Sequence, residues 1–119
     1  MHALAVILTF IVALLHVYFL ILEMFLWRTP KGLKTFKMTP EKAETTASLA
    51  MNQGLYNGFL AAGLLWSFSL PEPSCFAVRS FFLTCVVVAG VFGAATASKK
   101  ILYIQALPGA LALWLTQVA

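Results

Sequence analysis

ALAVILTFIVALLHVYFLILEMFLW, residues 3–27, contains neither Lys nor Arg and a single carboxylate, Glu23. A helix needs about 20 apolar residues to cross the hydrocarbon of a bilayer, and this stretch exceeds that. It lacks the basic start and small-residue cleavage site of a secretory signal, so it reads as a retained span. Three further runs follow outward from it: 48–70, ended by Pro71 and Pro73; 77–97; and 101–118. Ser98-Lys99-Lys100 leaves room only for a tight turn between the last two, which predicts an antiparallel hairpin. The expected fold is all-α: an integral membrane four-helix bundle, with residues 1–119 forming one four-span domain and 28–46 a basic cytoplasmic loop.

Composition supports this reading. Of 119 residues, 61% are hydrophobic and 10% charged, with a mean hydropathy of +0.91; water-soluble domains are about a quarter charged. Lipid is therefore the expected solvent. The net charge of +4 does not point to nucleic acid, because seven of the eight Lys and Arg residues flank the runs. Five lie in the 28–46 loop (Arg28, Lys31, Lys34, Lys37 and Lys42) and two at Lys99 and Lys100, against Arg79 alone on the opposite side. By the positive-inside rule both termini are non-cytoplasmic. Thr39-Pro40-Glu41 has the order of a helix start, with a hydroxyl cap, proline in the first turn and an acid behind it, so the second span should be preceded by a few cytoplasmic turns. Trp27, Trp66 and Trp114 fall near span ends, as membrane-interface aromatics do. Cys75 and Cys85 have neither metal-type spacing nor placement suited to a disulfide.

Polar side chains inside the spans are the candidates for function. His2, Thr9, His16 and Glu23 recur every seven residues and should form one stripe turned toward other helices. Glu23 has two readings: an interfacial acid paired with a nearby cation, or a protonatable site for a cationic ligand. His16 is read first as a hydrogen-bonded structural histidine. In the second span, Asn52, Gln53 and Tyr56 share one face, while Gly54 and Gly58 form a small-residue seam on the other, with Asn57 between the glycines. Ala89, Gly93 and Ala97 make a second seam, and Gln105 precedes Pro108-Gly109 in the fourth span. Matching depths across the spans predicts a polar, ligand-binding pocket in the cytoplasmic half, drawing on Glu23, His16, Asn52, Gln53, Tyr56, Asn57 and Gln105. No catalytic residue, metal site or cofactor is assigned, for the sequence holds no nucleophile–base pair, metal-ligand spacing or phosphate loop.

Several segments resemble a family of small bacterial membrane proteins known as domain of unknown function thirteen-oh-four. They are His16-Val17-Tyr18-Phe19 with Glu23-Met24-Phe25-Leu26-Trp27, the stretch from Asn52 to Leu64, Ala89 to Thr96, Lys99-Lys100-Ile101-Leu102, and Gln105-Ala106-Leu107-Pro108. The resemblance covers essentially the whole chain. It implies a four-helix, multi-pass protein of the inner membrane, and no activity. A weaker similarity, from Phe36 through Pro40-Glu41 to Asn52, Tyr56 and Trp66, is to the membrane-associated proteins of eicosanoid and glutathione metabolism. Those enzymes carry an arginine shortly before the asparagine and a glutamate three after it; this chain has Ser48 to Met51 and Leu55 there.

Three functions stand at this point: binding or transport of a small hydrophobic or cationic molecule, a glutathione- or lipid-dependent membrane enzyme, and a structural or accessory subunit. The residues lean away from an enzyme. The expected partners are the lipid bilayer, a small amphipathic ligand, and further copies in a parallel dimer or trimer.

Overall fold

The computed structural model describes residues 2–96 and 99–119 and, of Ile101 and Leu102, the backbone. Every regular element among them is helical: α1 (His2–Met24), α2 (Pro30–Phe36), α3 (Pro40–Ser67), α4 (Ser74–Thr96), α5 (Lys99–Ile101), a π-helical stretch (Leu102–Ala106) and α6 (Leu107–Val118).

Helix ends follow local chemistry. Thr29 caps α2, accepting from the Gly32 N–H at 3.4 Å, with Pro30 in the first turn. Thr39 caps α3 by accepting from the Lys42 N–H at 3.1 Å, so the cytoplasmic turns expected before the second span are the start of one 28-residue helix. Glu72 Oε2 accepts from the Phe76 N–H at 3.2 Å and starts α4 at Ser74, three residues before the apolar run at 77. The fourth apolar run is not one regular helix. Its α-helical part, α6, has 12 residues and follows the π-helical stretch just before Pro108, whose missing N–H breaks the regular ladder. Among the described residues, α1 and α4, with 23 residues each, are the two helices long and apolar enough to cross a membrane.

The chain forms two compact units, Leu15–Phe59 and the combination of Met1–Leu14 with Leu60–Ala119. The second has the larger apolar core: Val12, Ala13, Leu64, Leu83, Val86 and Ala112 are almost completely buried, with Leu8, Leu60, Phe82 and Leu113 against them. Its helices approach closely at small residues. A Cβ on Gly90 would lie 2.9 Å from the Ala106 N, and one on Gly109 2.8 Å from Val86 Cγ1. The seam expected at Ala89, Gly93 and Ala97 is therefore displaced: Ala89 is exposed, Gly93 is half-buried, and Ala97 lies outside the described residues. Buried hydroxyls in this unit return to their own helix, Thr9 to the Ala5 O at 2.7 Å, Ser67 to Leu64 O at 2.6 Å and Thr116 to Ala112 O at 2.8 Å. Arg79, alone among the basic residues in being buried, donates to Cys75 Sγ at 3.1 Å and lies over the Phe68 ring.

The Leu15–Phe59 unit joins the end of α1, α2 and the first part of α3. Here Gly54 and Gly58 lie at the α1–α3 contact. A Cβ on Gly54 would meet Met24 Cγ at 2.6 Å, and one on Gly58 would meet Leu20 Cδ1 at 2.7 Å, so α3 packs these two glycines directly on α1. Gly32 in α2 leaves no room for a Cβ between the carbonyls of Leu26 and Trp27.

Candidate functional site

The glycine contacts fix the rotation of α3, and with it the polar group that meets Glu23. Asn57, buried beside Gly58, donates from Nδ2 to Glu23 Oε1 at 2.5 Å. This bond ties α1 to α3 across 34 residues of sequence.

Around the carboxylate is a cavity of about 270 Å³, lined by Glu23, Met24, Phe25, Trp27, Arg28, Thr29, Ala47 and Met51. Its rim is held by cross-links between the α1–α2 connection and α3. Trp27 Nε1 donates to Thr46 Oγ1 at 3.1 Å, Thr46 in turn donates to Lys42 O at 2.7 Å, and the Trp27 ring packs on Phe36 with centroids 4.7 Å apart. Arg28 contacts both Glu44 oxygens, at 3.1 and 3.2 Å. Both partners of that pair are mostly exposed, so it orients the rim more than it stabilises the fold. Lys31 lies 5.8 Å from the centroid of the Tyr18 ring.

The other expected site residues divide. His16 is buried two turns above Glu23 on α1 and meets Phe19 edge-on. Thr9 is also buried and Glu23 half-buried, so the seven-residue stripe turns inward from Thr9 on, while His2 is exposed. Asn52, Gln53 and Tyr56 are exposed on another face of α3, so only Asn57 of the α3 candidates bonds to Glu23. Gln105 belongs to the other unit, where its Nε2 donates to Val86 O at 3.2 Å beside the Gly90–Ala106 contact.

Sequence reasoning missed the Thr29 cap, although Thr29-Pro30 repeats the signal read at Thr39-Pro40, and it missed the rim bond from Trp27 to Thr46. Chemically, the arrangement offers one carboxylate, two methionines and two aromatic rings around a space large enough for a small molecule. Among the described residues no group of three His, Cys, Asp or Glu could hold a metal ion.

These features define an all-helical protein with, among the described residues, two helices long and apolar enough to cross a membrane and a cavity lined by the Glu23 carboxylate. The chain belongs to the family described as Protein of unknown function (DUF1304), whose model matches residues 10–117. It is also 32% identical over 107 residues to "Uncharacterized protein YpaA" of Lactococcus lactis subsp. lactis (strain IL1403), covering 88% of this chain and 89% of that one. No solved structure matches it.

Proposed function

We propose that this is a small multi-pass protein of the bacterial inner membrane that binds, and in that way handles, a small amphipathic cation at the Glu23 cavity in the cytoplasmic half of the bundle. Four spans, with both termini non-cytoplasmic, complete the reading. Its membrane part is supported by where apolar and polar side chains lie. Leu4, Ile7, Phe25, Leu49, Phe81, Val88 and Phe92 are among the large apolar residues with 53–73% exposure, whereas Thr9, His16, Asn57, Ser67, Arg79 and Thr116 are buried. Water would favour the opposite distribution; lipid favours this one. The basic residues of the 28–46 loop and at 99–100 support the orientation.

The ligand reading rests on one observation: the Glu23 carboxylate lines a cavity walled by Met24, Phe25, Trp27 and Met51, and the one cation on that wall, Arg28, is engaged by Glu44. A carboxylate flanked by aromatic faces attracts an organic cation through both charge and ring quadrupole. The test is a titration of the detergent-solubilised chain with tetraphenylphosphonium, followed by Trp27 fluorescence in a Trp66→Phe, Trp114→Phe background. Saturable quenching is expected, weakened about tenfold or more in Glu23→Gln. Equal affinity in the two proteins, or no saturable quenching, defeats the ligand reading.

A further inference from the structure

Gly54 and Gly58 of α3 face α1 within the chain, which leaves the face bearing Asn52 outward. Thr45, Leu49, Asn52, Tyr56 and Phe59 are all exposed, Leu49 at 73%, Tyr56 at 52% and Phe59 at 54%. Their spacing alternates four, three, four, three, the a/d repeat of a helix seam that packs on another helix. Tyr56 and Phe59 already touch edge-to-face along it, with ring centroids 6.0 Å apart. Gln53 and Ser48 flank the seam and are also exposed.

We propose that this seam is the contact between copies of the chain: two α3 helices lie side by side and parallel, with Asn52 against the partner's Asn52. The inference uses the membrane part of the proposed function and is independent of the cation site. In hydrocarbon an outward amide lacks water to bond with, so a face bearing Asn52 and Gln53 needs a polar partner. A carboxamide both donates and accepts, so the same group on an identical helix satisfies it. The uneven distribution of Lys and Arg places every copy in the same orientation, and a parallel pair brings equal heights together, Asn52 to Asn52 and Tyr56 beside Phe59. A single asparagine on the seam, with Leu49 before it and Tyr56 and Phe59 after it, sets register, as at a-positions of parallel coiled coils. The glycine seam, being used against α1, is not the surface on which copies meet.

Oxidative cross-linking of the full chain in native membranes, with Cys75 and Cys85 replaced by Ser, tests this. Asn52→Cys and Phe59→Cys are expected to give a disulfide-linked species of twice the mass, while Val88→Cys, an exposed position on α4, gives little. Asn52→Leu, which adds no polar group to lipid and fills no packed space, is expected to weaken self-association by roughly tenfold in fluorescence energy transfer between labelled copies in liposomes. Cross-linking at 52 no stronger than at 88, or native energy transfer unchanged by Asn52→Leu, overturns the proposal. Carbonate extraction of the same membranes reads the membrane assignment separately. A chain that washes off defeats that assignment; a chain that stays but fails to cross-link defeats only the interface.

Discussion

The two compact units handle polar side chains in different ways. In the unit built from Met1–Leu14 and Leu60–Ala119, buried hydroxyls bond within their own helix, and helices meet through alanine, valine and glycine. Gln105 and Gln117 are the exceptions, reaching Val86 O and Ser80 Oγ. In the Leu15–Phe59 unit the hydroxyls of Thr45 and Thr46 also return to Lys42 O, but three polar pairs bridge elements: Asn57 to Glu23, Trp27 to Thr46, Arg28 to Glu44. A self-satisfied hydroxyl imposes no geometry on its neighbours, so the first unit is specified by shape. The second is specified by partners, and a cavity can persist there because its walls are tied instead of filled.

The largest effects expected from this contrast are steric. Gly90→Leu puts a side chain where the Ala106 backbone lies, and backbone cannot rotate away. A loss of about 3 kcal/mol or failure to fold is expected, the upper range for overpacking. Gly54→Ala adds a single methyl, against Met24 Cγ at 2.6 Å, Glu23 Cβ at 3.1 Å and Leu20 O at 3.3 Å, and should cost less, about 1–2 kcal/mol. Denaturation of both variants in mixed micelles, followed by circular dichroism, checks the order; a more damaging Gly54→Ala would break the comparison.

The next effect isolates partnered polarity. Asn57→Leu leaves the half-buried Glu23 without its donor and should cost about 1–3 kcal/mol, whereas Asn57→Leu with Glu23→Leu removes both partners and should recover most of it. Thr9→Val, which removes a hydroxyl bonded inside its own helix, should stay within about 0.5 kcal/mol. A double-mutant cycle with Thr9→Val as reference measures this. If Thr9→Val costs as much as Asn57→Leu, the distinction between the units fails.

How much of this was legible in the sequence differs by element. α1, α4 and the start of α3 were readable, because long apolar runs and the Thr39-Pro40 cap are local signals. α2 was not: Pro-Lys-Gly-Leu-Lys-Thr-Phe reads as a basic loop, and what gives it a place is Gly32 fitting against two carbonyls, a tertiary fact. The shift from the Ala89, Gly93, Ala97 seam to Gly90 reflects a run so rich in alanine and glycine that several offsets of four offer small residues. The site was half legible. Glu23 stood out as the sole carboxylate in an apolar run, but choosing Asn57 over Asn52 required the rotation of α3. The glycines carried that information, since the face that packs is the one bearing Gly54 and Gly58, with Asn57 at its edge.

Capping effects come next. Thr39→Ala removes the acceptor for the Lys42 N–H and should destabilise by about 1 kcal/mol. Thr29→Ala should cost a similar amount: its bond to Gly32 is longer, 3.4 against 3.1 Å, but its hydroxyl also donates to Leu26 O at 2.7 Å. Both read out in the Leu15–Phe59 unit, so hydrogen exchange of α2 and the first turns of α3 should rise while that of α4 does not. Exchange rising equally in α4 would show that the units do not open separately.

The smallest expected effect has the opposite sign. Lys37 ends α2 at φ 53° and ψ 52°, the left-handed conformation. Its N–H bonds to Lys34 O at 3.4 Å, and the next N–H, Met38, closes back to Leu33 O at 2.9 Å. That pattern of bonds is the usual helix stop, and glycine is the residue that adopts it without a Cβ penalty. Lys37→Gly therefore relieves strain in the folded state but loosens the unfolded chain, and the two terms oppose each other. Strain at an ordered left-handed position is about 1 kcal/mol or more, and the added chain freedom about as much or slightly less, so a net gain of a few tenths of a kcal/mol is expected. A Lys37→Ala variant separates the terms: it keeps the Cβ, removes the charge and should gain nothing. If Lys37→Ala stabilises as much as Lys37→Gly, the relief comes from removing a like charge beside Lys34, and the conformation at position 37 is not what limits α2.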